Sequence, residues 1–272
     1  MTKIIETADQ AKEDVKYKES LIELLYQFAD DDFIIAFRGS EWLGLAPHIE
    51  EDVAYSSITQ NTMGHATMYY QLLEELGEGD ADKLAHYRPA KDRRNGIYLE
   101  KINGTGSYIQ EPEYDWALAV VRNYLYEELK RVKLEAATKS SYKPLQQLAE
   151  KILMEQTYHL AHWSLWIKQL QNSTEEAKER IQYRLDEAWR EFGDSLELGP
   201  RAEDIVSNNI LIDENVLKQR WLDKVNNVLT TKRTSFPEKQ LGNGRAGEHT
   251  PDLEQAIDIF SEVYMSDPAA IW

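Results

Sequence analysis

Four long stretches of this chain step their apolar residues by three and four, and that spacing leaves little choice but packed helices. A side chain returns to the same helix face about every 3.6 residues, so each stretch has one seam to bury. The first spans about Lys18 to Arg38, with Leu21, Leu25, Phe28, Asp32 and Ile35 in line, and stops near Gly39. The second runs from about Ile49 to Leu76, after Pro47 and before Gly77, along Tyr55, Ile58, Thr62, His65, Tyr69, Leu72 and Leu76. A third covers about Tyr114 to Ala137 through Trp116, Val120, Asn123, Glu127 and Leu134. The fourth opens at Pro144, a favoured first helical position, and aligns Ala149, Ile152, Gln156, His159, Trp163, Trp166 and Leu170.

Between the second and third stretches lies a long irregular segment, roughly Glu78 to Pro112. That length suits a crossover joining two helix pairs. A fifth helix is expected after Ser173 and Glu176, spaced as a capping box, with Ile181, Leu185, Ala188 and Phe192 on one face. A sixth follows Asp213, and Thr250 and Pro251 open a last short one. The pattern predicts an all-α chain: a ferritin-like four-helix bundle with one long crossover and additional C-terminal helices. With no internal repeat and no strong boundary, residues 18–272 read as a single domain behind an N-terminal extension, 1–17.

Composition narrows the function. The 272 residues include no cysteine, which removes disulfides, thiolate zinc sites, iron–sulfur clusters and cysteine nucleophiles together. A net charge of −17 repels phosphate backbones and anionic membranes. Lys130, Arg131 and Lys133 supply local positive charge, read here as a solvated helix face. No run approaches the ~18 apolar residues of a membrane span. The charged segment from Met1 to Lys18 has no apolar core of a secretory signal, so a cytoplasmic location is expected. No phosphate loop, nucleophile elbow or dinucleotide fingerprint is present. The glycine-rich Gly242–Gly247 segment precedes a helix rather than following a strand, and reads as a surface or interface loop.

The seams themselves carry the chemistry. In the di-iron members of the ferritin-like fold, two helices give one carboxylate each and two give Glu-x-x-His, because residues three apart share a face and reach the same ion. Here Asp32 and Glu127 stand where single carboxylates belong. Thr62-x-x-His65 and Gln156-x-x-His159 keep the histidines and lack both glutamates. A lone histidine on an apolar seam is ordinarily a hydrogen-bonded core residue, and Glu155 with His159, four apart, reads equally as a local ion pair. Periodicity does not say which of Asp30, Asp31 and Asp32 faces inward. Polar interruptions in all four seams still predict a connected, buried polar cluster of Asp32, His65, Glu127, Glu155 and His159.

At these residues the chain resembles the PaaC-type subunits of phenylacetyl-CoA epoxidase, also called phenylacetate-CoA oxygenase. The likeness runs from about Leu21 to Trp272. It rests on Ala29-Asp30-Asp31, Ser40-Glu41-Trp42, Ala46-Pro47 and Glu50-Glu51-Asp52, and on Gly64. It continues through Val121-Arg122-Asn123-Tyr124-Leu125-Tyr126, Glu155 and Tyr158-His159-Leu160, and ends on Gly244-Arg245-Ala246-Gly247-Glu248-His249-Thr250 and Trp272. The resemblance implies a non-catalytic structural subunit of a multicomponent oxygenase of phenylacetate breakdown. Its homologous catalytic partner carries the di-iron centre, and a reductase completes the system.

No cofactor is therefore expected in this chain. The surviving His65 and His159 leave weak metal binding open, and the rival reading is a metal-dependent monooxygenase with an atypical site. With 7 Trp and 15 Tyr, more than four seams need, Trp42, Trp189 and Trp221 are expected at a partner-facing surface.

Overall fold

Capping side chains, which the apolar pattern does not reveal, fix where the helices begin. The computed structural model describes residues 4–106, 110–267 and 269–270. Trp272, the last residue of the resemblance, lies outside the described residues. A short helix, α1 (Ala8–Lys12), precedes the first long one, α2 (Val15–Ser40), which starts before Lys18 because Asp14 accepts the N–H groups of Lys16 and Tyr17. Helix α3 (Ile49–Glu75) follows. The crossover is less irregular than its composition suggests: it holds α4 (Ala81–His86), the buried turn α5 (Ile97–Glu100), and a two-stranded antiparallel pair, β1 (Gly104–Thr105) and β2 (Glu113–Tyr114), with Gly104 opposite Tyr114.

Tyr114 thus belongs to a strand, and α6 (Trp116–Ala137) begins after Asp115, whose carboxylate accepts from Ala117 and Leu118. Helix α7 (Lys143–Gln171) carries Pro144 in its first turn. Thr174, not Ser173, caps α8 (Glu175–Glu191): its hydroxyl accepts from the Ala177 N–H. Two further helices are α9 (Ala202–Ser207) and α10 (Glu214–Asn226), the latter capped by Asp213. The last, α11 (Pro251–Ser266), has 16 residues and is no short appendage.

The architecture is all-α and ferritin-like. Helices α2 and α3 pack as one hairpin, α6 and α7 as the other, and α3 lies beside α7. Helices α8 and α10 cover α6, while α9 and the crossover cover α2. The central pair is therefore buried around most of its circumference, whereas α3 and α7 keep one side in solvent. No helix among the described residues is long and apolar enough to cross a membrane.

The covering helices account for a correction. Trp42, Trp189 and Trp221, expected at the surface, are all buried. Trp42 packs edge-on against Tyr114 and Trp116. Trp189 stacks on Trp221, whose indole N–H donates to the Leu125 carbonyl at 3.0 Å. These rings fasten α8 and α10 onto α6, and large aromatic area is what such second-layer helices need to stay docked.

All three residues of Asp30-Asp31-Asp32 are inside. Successive residues on a helix point about 100° apart, so each carboxylate meets a different neighbour. Asp30 takes Arg88 and Arg93 from the crossover, the Tyr70 hydroxyl at 2.6 Å and the Arg94 N–H at 2.8 Å. Asp31 receives both Nη atoms of Arg245 at 2.8 Å, a bidentate clamp from the C-terminal loop. Asp32 faces α6. The Gly242–Gly247 segment is thus an inward anchor around Arg245, which is fully buried.

Burial pushes the Asp30 carboxyl up, but Arg88 and Arg93, with the Tyr70 and Arg94 hydrogen bonds, outweigh it and hold its pKa below the usual value. A folded pKa below the unfolded one gives stability that is complete above the unfolded carboxylate range and lost as pH falls through the folded value. Asp30→Asn is expected to lower unfolding free energy by about 3–5 kcal/mol at neutral pH, as when one member of a buried pair is removed. The gap to wild type should begin to narrow below about pH 4, where Asp30 of the unfolded chain protonates, and should close as pH falls through the lower folded value. Urea unfolding of both proteins across that range checks this, and a gap independent of pH would contradict it.

Candidate functional site

The four seams meet where their polar residues interrupt them. Asp32 comes from α2, Thr62 and His65 from α3, Glu127 from α6, and Gln156 and His159 from α7; all six are buried. The residue that organises them is Lys130, one turn beyond Glu127 on α6. Its Nζ lies 2.7 Å from Asp32 Oδ1 and 3.0 Å from His65 Nδ1. An ammonium only donates, so His65 Nδ1 accepts and the ring is neutral with its proton on Nε2. That Nε2–H donates to Glu155 Oε2 at 2.9 Å. Tyr126 adds its hydroxyl to Asp32 Oδ1 at 2.6 Å. The chain Asp32–Lys130–His65–Glu155 therefore ties α2, α6, α3 and α7 together.

A second branch is looser. Gln156 Nε2 donates to the Glu127 carbonyl at 2.8 Å and to its Oε2 at 2.9 Å. His159 Nδ1 stands 3.4 Å from Glu127 Oε1, and its Nε2 is 3.4 Å from the Asn61 amide. The His65 and His159 rings are 6.0 Å apart, and Thr62 is buried beside them on the His65 face.

The electrostatics follow from this layout. Burial lifts the Asp32 carboxyl to about 6 against the pull of Lys130 and Tyr126. Burial also drives the His65 pKa far below the usual imidazole value, helped by the nearby Lys130 charge and by His159 and Lys151. Burial raises Glu127, yet the His159 contact, Lys130 and Gln156 together leave it below its ordinary value.

This donor set does not fit a bridged pair of irons. Two bridging positions hold a neutral hydroxyl, Thr62, and an amide, Gln156. Both nitrogens of His65 are engaged, one of them by a fixed positive charge 2.7 Å from the carboxylate that would ligate. Among the described residues, no three histidine, aspartate or glutamate side chains converge as a cation site. The void beside Asp32 and Lys130 measures about 10 Å³, room for a single water.

Two sequence expectations change here. Lys130 and Lys133 are buried rather than part of a solvated face: Lys130 points across the bundle to Asp32 and His65, and the Lys133 ammonium lies against Asp31 and the Ser195 carbonyl. Glu155 pairs across helices with His65, not locally with His159. Lys130 had a legible signal: it stands three residues after Glu127 and four before Leu134, on the same seam. No local pattern announced Arg245 as the partner of Asp31. Nor did one mark Glu100, whose two oxygens hold His249 at 2.9 Å and the Thr250 N–H at 2.7 Å.

A family model described as phenylacetic acid catabolic protein matches residues 1–272. Over 230 residues the chain is 24% identical to the C subunit of the 1,2-phenylacetyl-CoA epoxidase of Escherichia coli (strain K12), an overlap of 84% of this chain and 89% of that one. It is also 22% identical over 176 residues to the A subunit of the same epoxidase, covering 64% of this chain and 52% of the relative. It spans about half the length of that second protein.

Removing one member of the central ion pair should hurt more than removing both. Lys130→Met strands Asp32 and is expected to cost about 3–5 kcal/mol, whereas Lys130→Met with Asp32→Asn leaves neither member of that pair charged and should recover part of the loss. His65→Ala, which breaks the middle of the chain, should cost about 2–4 kcal/mol. Urea midpoints of the four proteins, wild type included, measure this. An unchanged midpoint for Lys130→Met would mean that the pair is not formed.

Proposed function

The chain belongs to the phenylacetic acid catabolic protein family, and from that membership we propose that it is a supporting, non-catalytic subunit of a cytoplasmic phenylacetyl-CoA oxygenase. In this reading it packs on a homologous subunit that carries the di-iron chemistry, with a reductase as a further component. The observation that carries the proposal is the Lys130 ammonium between Asp32 and His65. Its charge balances the buried carboxylate from within the chain and offers no open coordination position. Ordinary ligand pockets enclose roughly 300–1,000 Å³, so the void of about 10 Å³ at the bundle centre has no room for an aromatic substrate. The two relatives support the heteromeric part: two different subunits of one enzyme are both similar to this chain, as expected if related folds pack on one another.

Two measurements test the proposal. Metal analysis of the isolated chain, after growth with added iron, should find no stoichiometric di-iron centre. Two irons per chain with oxo-bridged absorbance would overturn the supporting role. Mixed with the A-type homologue of the same source, the protein should elute as a joint peak, and phenylacetyl-CoA turnover with a reductase should depend on its presence. Full turnover without it, together with separate peaks, sinks the assignment.

A further inference from the structure

Four contacts set the register of α3 against α7. Trp166 Nε1 donates to Glu51 at 2.5 Å, Asn61 meets His159 at 3.4 Å, His65 pairs with Glu155 at 2.9 Å, and Lys151 reaches Met68 Sδ at 3.3 Å. The helices therefore run antiparallel, with Val53 level with Leu165, Ser57 with Ala161 and Gly64 with Met154. Their inner sides close the bundle. The outer side has its own pattern.

Ile49, Val53, Met154, Tyr158 and Leu165 are each more than half exposed. Along α7, Met154, Tyr158, Ala161 and Leu165 follow at steps of four, three and four, which is a second apolar seam pointing away from the core. Between Val53 and Thr67 on α3, and between Met154 and Leu165 on α7, the one carboxylate is the half-exposed Glu155, which is paired with His65. In a chain where 29% of residues are charged, that is a marked gap. Ser57, Gly64 and Ala161 keep the middle low, and a Cβ on Gly64 would meet nothing within 4 Å.

We infer that this α3–α7 face is the docking surface for a homologous four-helix subunit; the inference rests on the reading under Proposed function and locates its interface. Size agrees. With 27 and 29 residues, the helices are about 40 Å long at roughly 1.5 Å per residue, and side by side they are about 20 Å wide. That outline is about 800 Å², the scale a standard-size complex buries on each side. The charge-poor stretch, about 20 Å long, is its middle half, with charged residues such as Glu50, Glu150 and Lys151 beyond it. Chemistry agrees as well: interface centres are depleted of charge and enriched in methionine and aromatic residues. A second copy is the poorer occupant, because two chains of net charge −17 repel as they approach. A partner of related fold presents a comparable helix pair, and the chain is similar to two subunits of one enzyme. Docking there also covers Glu155, where the central network reaches the surface.

The test uses the full chain and the A-type homologue from the same source, followed by size-exclusion chromatography and titration calorimetry. Met154→Glu and Tyr158→Glu should each weaken the complex by about tenfold or more, and together abolish it, because a charge is then desolvated in the interface centre. Both variants should melt like the wild type, since neither side chain packs in the core. Tyr183→Glu, exposed on α8, should bind normally. A double variant that binds with wild-type affinity overturns the surface alone. A wild-type homodimer that the double variant dissolves assigns the face to a second copy and overturns it too. Failure of the wild-type chains to associate overturns both this surface and the reading beneath it.

Discussion

Asp30, Asp31 and Asp32 put three negative charges into the interior of one helix at consecutive positions, and most of the surrounding structure answers them. A buried carboxylate without a partner costs several kcal/mol, so each must be met by a cation or a set of donors. Because successive side chains diverge, no single cation serves all three. The crossover brings Arg88 and Arg93 to Asp30, the C-terminal loop brings Arg245 to Asp31, and α6 brings Lys130 to Asp32. Segments with little secondary structure of their own are thereby fixed. The loop's glycines serve this approach: a Cβ on Gly244 would lie 2.0 Å from the Asn95 carbonyl oxygen, and Gly247 has φ +81° with the Lys91 carbonyl oxygen 2.4 Å from its would-be Cβ. A glycine-rich segment that could have cradled phosphate instead lets two stretches of backbone touch.

Buried ion pairs add little net stability compared with well-packed apolar residues. What they do supply is an intolerance of misalignment. The chain Asp32–Lys130–His65–Glu155 has one member on each long helix, so a shift of any helix along its axis strands a charge. The centre of the bundle is in this sense a cross-brace. It emerges at Glu155 between α3 and α7, the two helices that keep one side in solvent. A bundle braced within does not depend for its own fold on what covers that outer side, where Glu155 is the one carboxylate between Met154 and Leu165.

The four helices were legible in the sequence because the apolar repeat is a property of each segment alone. Leu21, Tyr55, Val120 and Ile152 are buried where their seams place them. Helix starts were less legible, since they depend on which side chain reaches a free N–H: Asp14 and Thr174 set boundaries that the apolar count does not contain. Aromatic content misled for a related reason. Trp189 and Trp221 exceed what four seams require, but the excess is used to hold a second layer of helices rather than to meet a partner.

The same division runs through the site. Periodicity by itself determined that one residue of Asp30-Asp31-Asp32, with His65, Glu127, Gln156 and His159, interrupts the seams of a four-helix bundle, because spacing along one helix sets which residues share a face. Set against the di-iron pattern, Thr62 and Gln156 lack the carboxylates. Only the tertiary structure decided which charges meet. Lys130 meets Asp32 and His65 on two other helices, and Glu155 chooses His65 across a helix boundary over His159 on its own helix. Arg245 finds Asp31 from 214 residues away. Long flexible side chains reach well beyond their own register, and desolvation makes each pairing strongly dependent on what surrounds it. That dependence is absent from any local pattern, so partner choice belongs to the folded chain.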